Sequence, residues 1–401
     1  MPNVAAIGTY LPCWGIPARR VVGDDEDAIT MAVEAGRAAL QSGAGVERVV
    51  LVSRNLPLLE SSNAAVLLAG LGLDPELEVD ERLGGAPATL DAVSSARPRT
   101  LIIGADLEPA GAAALLTAED GLRVRTAARV ARSLPVRTRN ATGTVHDYGD
   151  PRLLHERGLI ASLAAAWLDT PAAVAGVDHD SANDLCVGNP PRLPTTGASS
   201  SLFALAGMAE AGTTGPLVAV EQASLSGITV SHGTASVHRR EPASREMPAG
   251  GYADGAQIPI SLAAYERAFE AKTRWEAGKF AGSDELDFPP RYRVSNDGDL
   301  ATLYDLVPLP RVGTVYTETT VHMPVPGLRT PYSLVLVELD DVEVRALVKV
   351  TGAEPGSVAI GDRGRLTLRR VAVRSGVPDY SYMFEPESVT SSSGPGTGFA
   401  A

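Results

Sequence analysis

Cysteine and lysine are both scarce in this sequence, and the scarcity of cysteine excludes whole classes of protein. The 401 residues contain two cysteines, Cys13 and Cys186, so neither a disulfide framework nor a cysteine-rich zinc site is available. Lysine occurs only at Lys272, Lys279 and Lys349 among 35 basic residues. The preference for arginine, with 40 glycines, is typical of a GC-rich bacterial coding sequence and not of a particular function.

Long apolar runs and basic runs are missing as well. No stretch approaches the ~18 uninterrupted apolar residues of a membrane span, and no basic segment followed by an apolar run opens the chain. We therefore expect a cytoplasmic protein without a membrane or secretory segment. The net charge of −13 argues against a nucleic-acid partner, although it permits a local basic surface for the phosphates of a thioester carrier.

The length and the apolar pattern indicate more than one globular unit. At 401 residues the chain exceeds the roughly 100–200 residues of a single domain. Short apolar runs at 4–7, 48–53 and 100–104 alternate with helical segments, which predicts parallel βαβ units. A fainter second set follows, with predicted helices at 151–168 and 199–211 and predicted strands at 172–177 and 216–220.

The pattern changes near residue 262. Residues 262–279 have the composition of a charged amphipathic helix, and the tail after residue 388 has the composition of a disordered segment. Between them, alternating runs at 312–321, 333–339, 342–350 and 365–373 predict short strands. Several short strands in about 90 residues favour a small barrel such as an OB-fold.

Four motifs in the first 206 residues carry a resemblance to a known family. They are GTYLP at 8–12, DEDAITMAVEA at 25–35, LGGAPA at 83–88 and TTGASSSLFALA at 195–206. Together they resemble the thiolase superfamily, most of all its hydroxymethylglutaryl-CoA synthase and ketoacyl synthase III branch. The resemblance implies an α/β fold of five αβαβα layers built from two similar halves, a site between the halves, a homodimer, and an acyl-CoA or acyl-carrier-protein thioester as substrate with no separate cofactor.

The C-terminal part carries a second resemblance. FPPR at 288–291, PYSLVLVEL at 331–339, IGD at 360–362 and PDYSYMF at 378–384 resemble the zinc-ribbon and OB proteins that accompany thiolase-like enzymes. Those proteins hold zinc with CxxC pairs, and no cysteine follows Cys186 here, so we expect no metal. The predicted domains are 1–262, thiolase-like with halves of about 1–170 and 171–262; 263–287, a linker helix and loop; 288–388, an OB-fold; and 389–401, a disordered tail.

The thiolase-like resemblance implies a set of site residues, several of them altered. The nucleophilic cysteine of the family stands two residues before the Gly84-Gly85 pair, where this chain has Arg82, which cannot form an acyl thioester. The catalytic glutamate corresponds to Asn55, with Glu60 available only through a rearranged loop. The family's asparagine corresponds to Thr195, and its histidine to His179.

Each candidate also has a structural interpretation. His179 is a general base or a loop histidine, Arg82 a phosphate clamp or an ion-pair partner of Asp80 or Glu81, and Thr195 an oxyanion donor or a helix cap. Cys186 is a buried thiol or a displaced nucleophile. Further predicted substrate contacts are Gly84, Gly85, His146 and Ser226, whereas His238 and Arg240 fall in a segment expected to be a solvated loop.

Two functions stay open on the sequence. One is a condensing-type acyltransferase of specialised biosynthesis that works without a cysteine, with His179 as base and Thr195 as donor to the oxyanion. The other is a non-catalytic thioester-binding or scaffold subunit, because the family's cysteine, glutamate, asparagine and zinc ligands are lost together. The expected partners are an acyl carrier protein or a separate thiolase subunit.

Overall fold

Ten of the described strands of the N-terminal unit hydrogen-bond into one mixed sheet, and five C-terminal strands form a separate barrel. The computed structural model describes residues 3–59, 62–134, 136–255, 270–290, 293–294, 298, 300–323, 326–374 and 376–387. Glu60, residues 262–269 of the predicted amphipathic helix and the predicted disordered tail at 389–401 lie outside the described residues.

A first set of elements forms one half of the sheet. They are β1 (Asn3–Tyr10), β2 (Trp14–Ile16), β3 (Arg19–Val21), α1 (Ala28–Leu40), β4 (Arg48–Ser53), α2 (Ala64–Leu71), β5 (Glu78–Leu83), α3 (Ala86–Ser95), β6 (Thr100–Leu107) and β7 (Ala110–Ala118). Their order in the sheet is β5-β4-β6-β7-β1. Within this set, β7 runs antiparallel to its neighbours β6 and β1.

A second set repeats this arrangement. It comprises β8 (Leu122–Ala131), β9 (Arg137–Arg139), β10 (Val145–Asp147), α4 (Pro151–Leu153), a π-helical segment (Leu154–Ile160), α5 (Ala161–Ala166), β11 (Ala173–Ala175), α6 (His179–Leu185), α7 (Ser200–Ala211), β12 (Gly215–Glu221), β13 (Ser224–Val230), β14 (Ser236–Arg240) and β15 (Gly251–Tyr252).

The strand order of the second set, β11-β12-β13-β8, corresponds to that of the first set without a counterpart of β5. Here β13 is the antiparallel strand, in the place of β7. The sheet therefore shows the internal repeat whose sequence signal is faint. It begins the second set at β8, before the division predicted near residues 170 and 171, and the other predicted domain limits stay predictions.

The C-terminal elements comprise the five strands of the barrel and six short strands outside it. They are β16 (Glu276–Lys279), β17 (Leu286–Asp287), β18 (Arg293–Val294), β19 (Leu300–Ala301), β20 (Asp305–Pro308), β21 (Val312–Val321), β22 (Arg329–Thr330), β23 (Tyr332–Leu339), β24 (Arg345–Lys349), β25 (Arg363–Arg374) and β26 (Val377–Pro386). The order β24-β23-β21-β25-β26 is closed by a bridge between Val350 and Phe384. This is the five-stranded, closed connectivity of an OB-fold.

Two local predictions were wrong. Residues 276–279 form β16, paired with β20, where a helix was expected, because strand pairing overrides the local helical composition. His238 and Arg240 lie in β14, in parallel register with Gly8 and Tyr10 of β1, and not in a solvated loop. β1 pairs with β8 only at Asn3 and Val4, and the rest of that side of β1 pairs with this segment. Arg240 therefore reaches the buried Glu34, whereas Arg239 is exposed.

Helix α1 shows how the two units pack. Asp27 accepts hydrogen bonds from the N–H groups of Ile29 and Thr30 at 3.0 Å, and the Thr30 hydroxyl accepts one from the Asp27 N–H, which is a capping box. The helix is buried on nearly every side, because the sheet covers one face and the barrel the other. One hydrophobic cluster therefore continues from α1 and α2 to Leu368 and Tyr382 of the barrel.

Candidate functional site

The N-terminus of α3 opens on a cavity of about 480 Å³. Gly85 is the residue before the helix, and Gly84 and Gly85 both line the cavity. Their predicted role as substrate contacts stays a prediction. The opposite wall is the β12–β13 turn, from Glu221 to Ser224, and the side wall includes Asp91 and Arg132. The cavity lies where the first and second sets meet.

An ion pair covers the opening of α3. Arg54, which follows β4, pairs with Glu221 at the end of β12, and both side chains are half-buried. Their charged ends fill the space that a β-carbon on Gly85 would occupy. The carboxylate of Glu221 therefore lies at the positive end of the α3 dipole, where a nucleophilic thiolate would otherwise be stabilised.

A second carboxylate occupies the N-terminus of α7. Asp106, near the end of β6, accepts hydrogen bonds from the N–H of Ala198 at 2.7 Å, and from the N–H and hydroxyl of Ser199 at 2.8 and 2.6 Å. Burial raises the pKa of Asp106, against the opposing effect of these hydrogen bonds. Thr195 is fully buried, and its hydroxyl lies 2.7 Å from that of Ser199, so it belongs to this capping network.

Asp106 and Glu221 each lie at a helix of the set to which they do not belong. Asp106 comes from the first set and caps the helix of the second, whereas Glu221 comes from the second set and lies at the helix of the first. The donors at the start of α7 are therefore bound to an internal carboxylate, whereas the start of α3 has no side-chain cap. The carboxylate beside α3 has Arg54 as its partner.

His179 and Cys186 lie at the two ends of α6. His179 is the first residue of the helix and is half-buried, with its Nδ1 atom buried and without a hydrogen-bond partner. Asp178 accepts hydrogen bonds from the N–H and hydroxyl of Ser181, which lowers the pKa of Asp178. Burial raises the pKa of the Cys186 thiol, which opposes formation of a nucleophilic thiolate.

The remaining predicted residues are dispersed. Arg82 lies on β5 and pairs with Asp80 at 3.3 Å, one of the two interpretations offered above. Asn55 is exposed after β4, and His146 is exposed in the hairpin of β9 and β10. Ser226 is buried in β13 and donates to Asp91 at 2.9 Å, which links it to the wall of the α3 cavity. The catalytic and binding roles assigned to these residues stay predictions.

Sequence reasoning missed Asp106, Glu221 and Arg54. Two of them share a detectable signal, because each is an acidic residue near the end of an otherwise apolar strand, in TLIIGADL and GPLVAVE. A carboxylate at that position is buried unless the strand ends in solvent. A buried carboxylate is stable only with a hydrogen-bond donor or a cation beside it. The residues that supply the partners are distant in sequence.

The described residues contain neither a cluster of metal-binding side chains nor a membrane-spanning helix. Within the ranges given above, no three His, Cys, Asp or Glu side chains come together in a way that could hold a metal ion. Residues 296, 297 and 299 lie outside those ranges. No described helix is long and apolar enough to span a membrane.

Comparison with known families identifies the barrel. The family model of the C-terminal OB-fold domain of ChsH2 matches residues 306–369. Residues 306–369 form an OB-fold domain. The match covers β20 to β24 and part of β25, in agreement with the strand order.

Solved structures similar to the chain include 3-oxoacyl-[acyl-carrier-protein] synthase III from Aquifex aeolicus, at 15% identity and a TM-score of 0.46, covering 58% of this chain and 100% of that one. A variant of OleA from Xanthomonas campestris gives 15% identity and a TM-score of 0.46, over 57% of this chain and 98% of that one. The acyltransferase ChlB3 has 18% identity and a TM-score of 0.44, and the match covers 59% of this chain and 98% of that one. No curated protein sequence matches the chain.

The predicted fold class, an α/β thiolase-like unit followed by an OB-type barrel, is confirmed. The repeated strand order, with one antiparallel strand at the same place in each set, and the closed five-stranded barrel carry that assignment. What the site does is a separate question, because one fold supports many functions.

Proposed function

We propose that the chain binds acyl thioesters at the α3 cavity without forming an acyl-enzyme intermediate, as a non-catalytic subunit of a thiolase-type acyl-transfer system. The observation that carries the proposal is the pair of internal carboxylates, Asp106 and Glu221, at the N-termini of the two central helices. Covalent catalysis with a thioester needs a thiolate and a stabilised oxyanion, and both states are negatively charged. Carboxylates at both helix ends disfavour them.

Arginines around the cavity support binding of an anionic carrier. Arg132 lines the cavity, Arg129 pairs with Asp91 at 3.1 Å, and Arg139 donates to the carbonyl of Arg54 at 3.3 Å. All three arginines are exposed, in a chain whose net charge is −13. We name Arg129, Arg132 and Arg139 the arginine rim. Guanidinium groups in this position suit the phosphates of CoA or of a pantetheine arm.

The proposal includes the partners expected from the resemblance. A separate thiolase subunit would supply the missing cysteine, and an acyl carrier protein or CoA would deliver the acyl group. A homodimer, a cytoplasmic location and a place in specialised biosynthesis belong to the same proposal.

A second candidate is direct acyl transfer to a bound acceptor, with His179 as general base. The observation in its favour is the Nδ1 atom of His179, which is buried without a partner and so has an unused capacity to accept a proton or a hydrogen bond. In this alternative the acyl group passes from the thioester sulfur to the acceptor without binding to the protein.

The covalent question is tested by intact mass spectrometry after incubation with acetyl-, malonyl- and longer acyl-CoA. We expect no added mass. A stable acyl adduct on Cys186 that disappears in Cys186→Ala would overturn the proposal and support a displaced nucleophile.

Binding and catalysis are then separated by two variants. Arg132→Ala should weaken binding of a non-hydrolysable acyl-CoA analogue, whereas Arg99→Ala, at an exposed ion pair with Glu47, should not. His179→Ala should leave the activity of a complex reconstituted with its thiolase subunit unchanged. A loss of about 10²–10⁴-fold in rate at an unchanged melting temperature would establish the second candidate instead.

A further inference from the structure

A second cavity lies between the α/β unit and the barrel, away from the α3 site. Its volume is about 350 Å³, within the range of small-molecule sites. Trp14 and Tyr252 form the wall on the α/β side, and Tyr332 and Lys349 belong to the wall on the barrel side. The α/β unit and the barrel each supply part of the wall, so the complete cavity requires both units.

Lys349 is the unusual residue of this wall. Its amine donates to the carbonyl of Val371 at 2.7 Å and lies 5.1 Å from the centre of the Tyr332 ring. Among the described residues, no carboxylate lies within ion-pair distance of it. An ammonium has three donors, so a half-buried lysine with one acceptor has unused hydrogen-bonding capacity facing the cavity.

The other charges of the lining do not neutralise this amine. Asp24 pairs with Arg329, and Asp25 is 3.9 Å from Arg369. Glu354 also lines the cavity, and its side chain is exposed. Arg370 is a second lining cation; its Nη2 donates to the Asp24 carbonyl at 3.0 Å, and no described carboxylate forms an ion pair with it.

We propose that this cavity binds a small carboxylate with a flat apolar body, the carboxylate contacting Lys349 and the body packing against the aromatic wall. A carboxylate supplies the acceptors that the Lys349 ammonium lacks. Trp14, Tyr252 and Tyr332 supply surfaces on which a flat group packs favourably. The site is independent of the thioester cavity.

The charge of Lys349 makes the site sensitive to pH. Burial lowers the pKa of Lys349 to about 8, against the opposing effect of Asp25. The charged and titratable groups around it are Asp24, Asp25, Tyr252, Tyr332, Glu354, Arg370, Arg374 and Asp379. Since the amine is protonated below that pKa, carboxylate binding should be tight at neutral pH and weaken above about pH 8.

The test is calorimetric titration of the full chain with benzoate and cinnamate and with their neutral amides. We expect the acids to bind and the amides to bind at least about tenfold more weakly. Lys349→Met should abolish the preference for the acid, Lys349→Arg should keep it, and Lys279→Met, at an exposed ion pair with Asp284, should leave it unchanged.

The pH series on the unmodified protein keeps the proposal testable if Lys349→Met fails to fold. Affinity for cinnamate should fall between pH 7 and pH 9.5 while affinity for cinnamamide stays constant. Equal binding of acid and amide, a preference that survives Lys349→Met, or no binding of either acid below about 1 mM would each overturn the proposal.

Discussion

Asp106 and Ser199 belong to different halves of the repeat, and one carboxylate oxygen of Asp106 accepts hydrogen bonds from both the N–H and the hydroxyl of Ser199, at 2.8 and 2.6 Å. The second oxygen accepts the N–H of Ala198. A single side chain therefore satisfies donors at the start of α7 and holds the two halves together. The N-terminus of α7 is therefore occupied by a side chain of the protein itself.

Asp106→Asn should destabilise the protein by about 1–3 kcal/mol, because the amide NH₂ would face a backbone N–H and leave a buried donor unsatisfied. Glu47→Gln, at an exposed ion pair with Arg99, is the matched control and should change stability by less than about 0.5 kcal/mol. Denaturant unfolding of the parent, Asp106→Asn and Glu47→Gln measures these changes in stability. Equal stability of Asp106→Asn and the parent would show that the cap is not structural.

Gly104→Ala and Gly85→Ala should differ strongly. A β-carbon on Gly104 would lie 2.6 Å from the Ala198 carbonyl oxygen and 2.8 Å from the Ser199 nitrogen, both backbone atoms that cannot move alone. At Gly85 the obstacles are the ends of the Glu221 and Arg54 side chains, which can move aside. We expect a loss of about 3 kcal/mol or more for Gly104→Ala and about 1 kcal/mol for Gly85→Ala.

Thermal unfolding of both glycine variants provides the measurement. A Gly85→Ala variant less stable than Gly104→Ala would contradict the fixed position of β6 against α7.

Lys349→Met should raise stability at pH 7. The pKa of Lys349 falls from 10.5 to about 8 on folding, so the unfolded chain binds more protons between these values, and the stability of the parent rises with pH across that window. Below about pH 8 the cost of burying the charge is fully present. The variant should therefore gain on the order of 3 kcal/mol or less at pH 7 and little at pH 10.5.

Urea unfolding of the parent and of Lys349→Met, at pH 7 and at pH 10.5, measures the difference in their free energies of unfolding. If Lys349→Met is less stable than the parent at pH 7, and by the same amount at pH 10.5, the lowered pKa is refuted.

Glu34→Ala should destabilise both units together. This α1 carboxylate accepts hydrogen bonds from Thr367 and, at 3.1 Å, from Arg369, and it also pairs with Arg240. After its removal Arg240 keeps Glu385 as a partner, and Arg369 keeps Asp25 and Glu26. The buried cluster still loses one of its anions, which costs about 3 kcal/mol. Because the hydrophobic cluster is continuous across the boundary, calorimetry should show one transition, before and after substitution.

Two separate transitions in the parent protein would contradict this continuity. Leu368→Ala removes a buried barrel side chain close to Gly70 of α2. It should cost about 2–5 kcal/mol and should also lower the stability of both units in one transition.

The sequence by itself determined the elements whose signals are local. The run TLIIGADL forms a strand buried along nearly its whole length, and the Asp27 and Thr30 pair begins α1 three residues apart, because apolar runs and capping boxes act between near neighbours. The alternation in SLVLVEL likewise predicts a barrel strand with one face inward.

Only the tertiary structure decided what the α3 cavity contains. The Glu221 that covers Gly85 and the Asp106 that caps α7, 93 positions before Ser199, reach their sites through strand order, which no local pattern encodes. The surroundings of Lys349 are likewise set by folding, because the residues that line its cavity come from positions between Trp14 and Met383. Burial, dipoles and ion pairs act between groups brought together by folding, so the charge at a site follows from the assembled sheet and barrel.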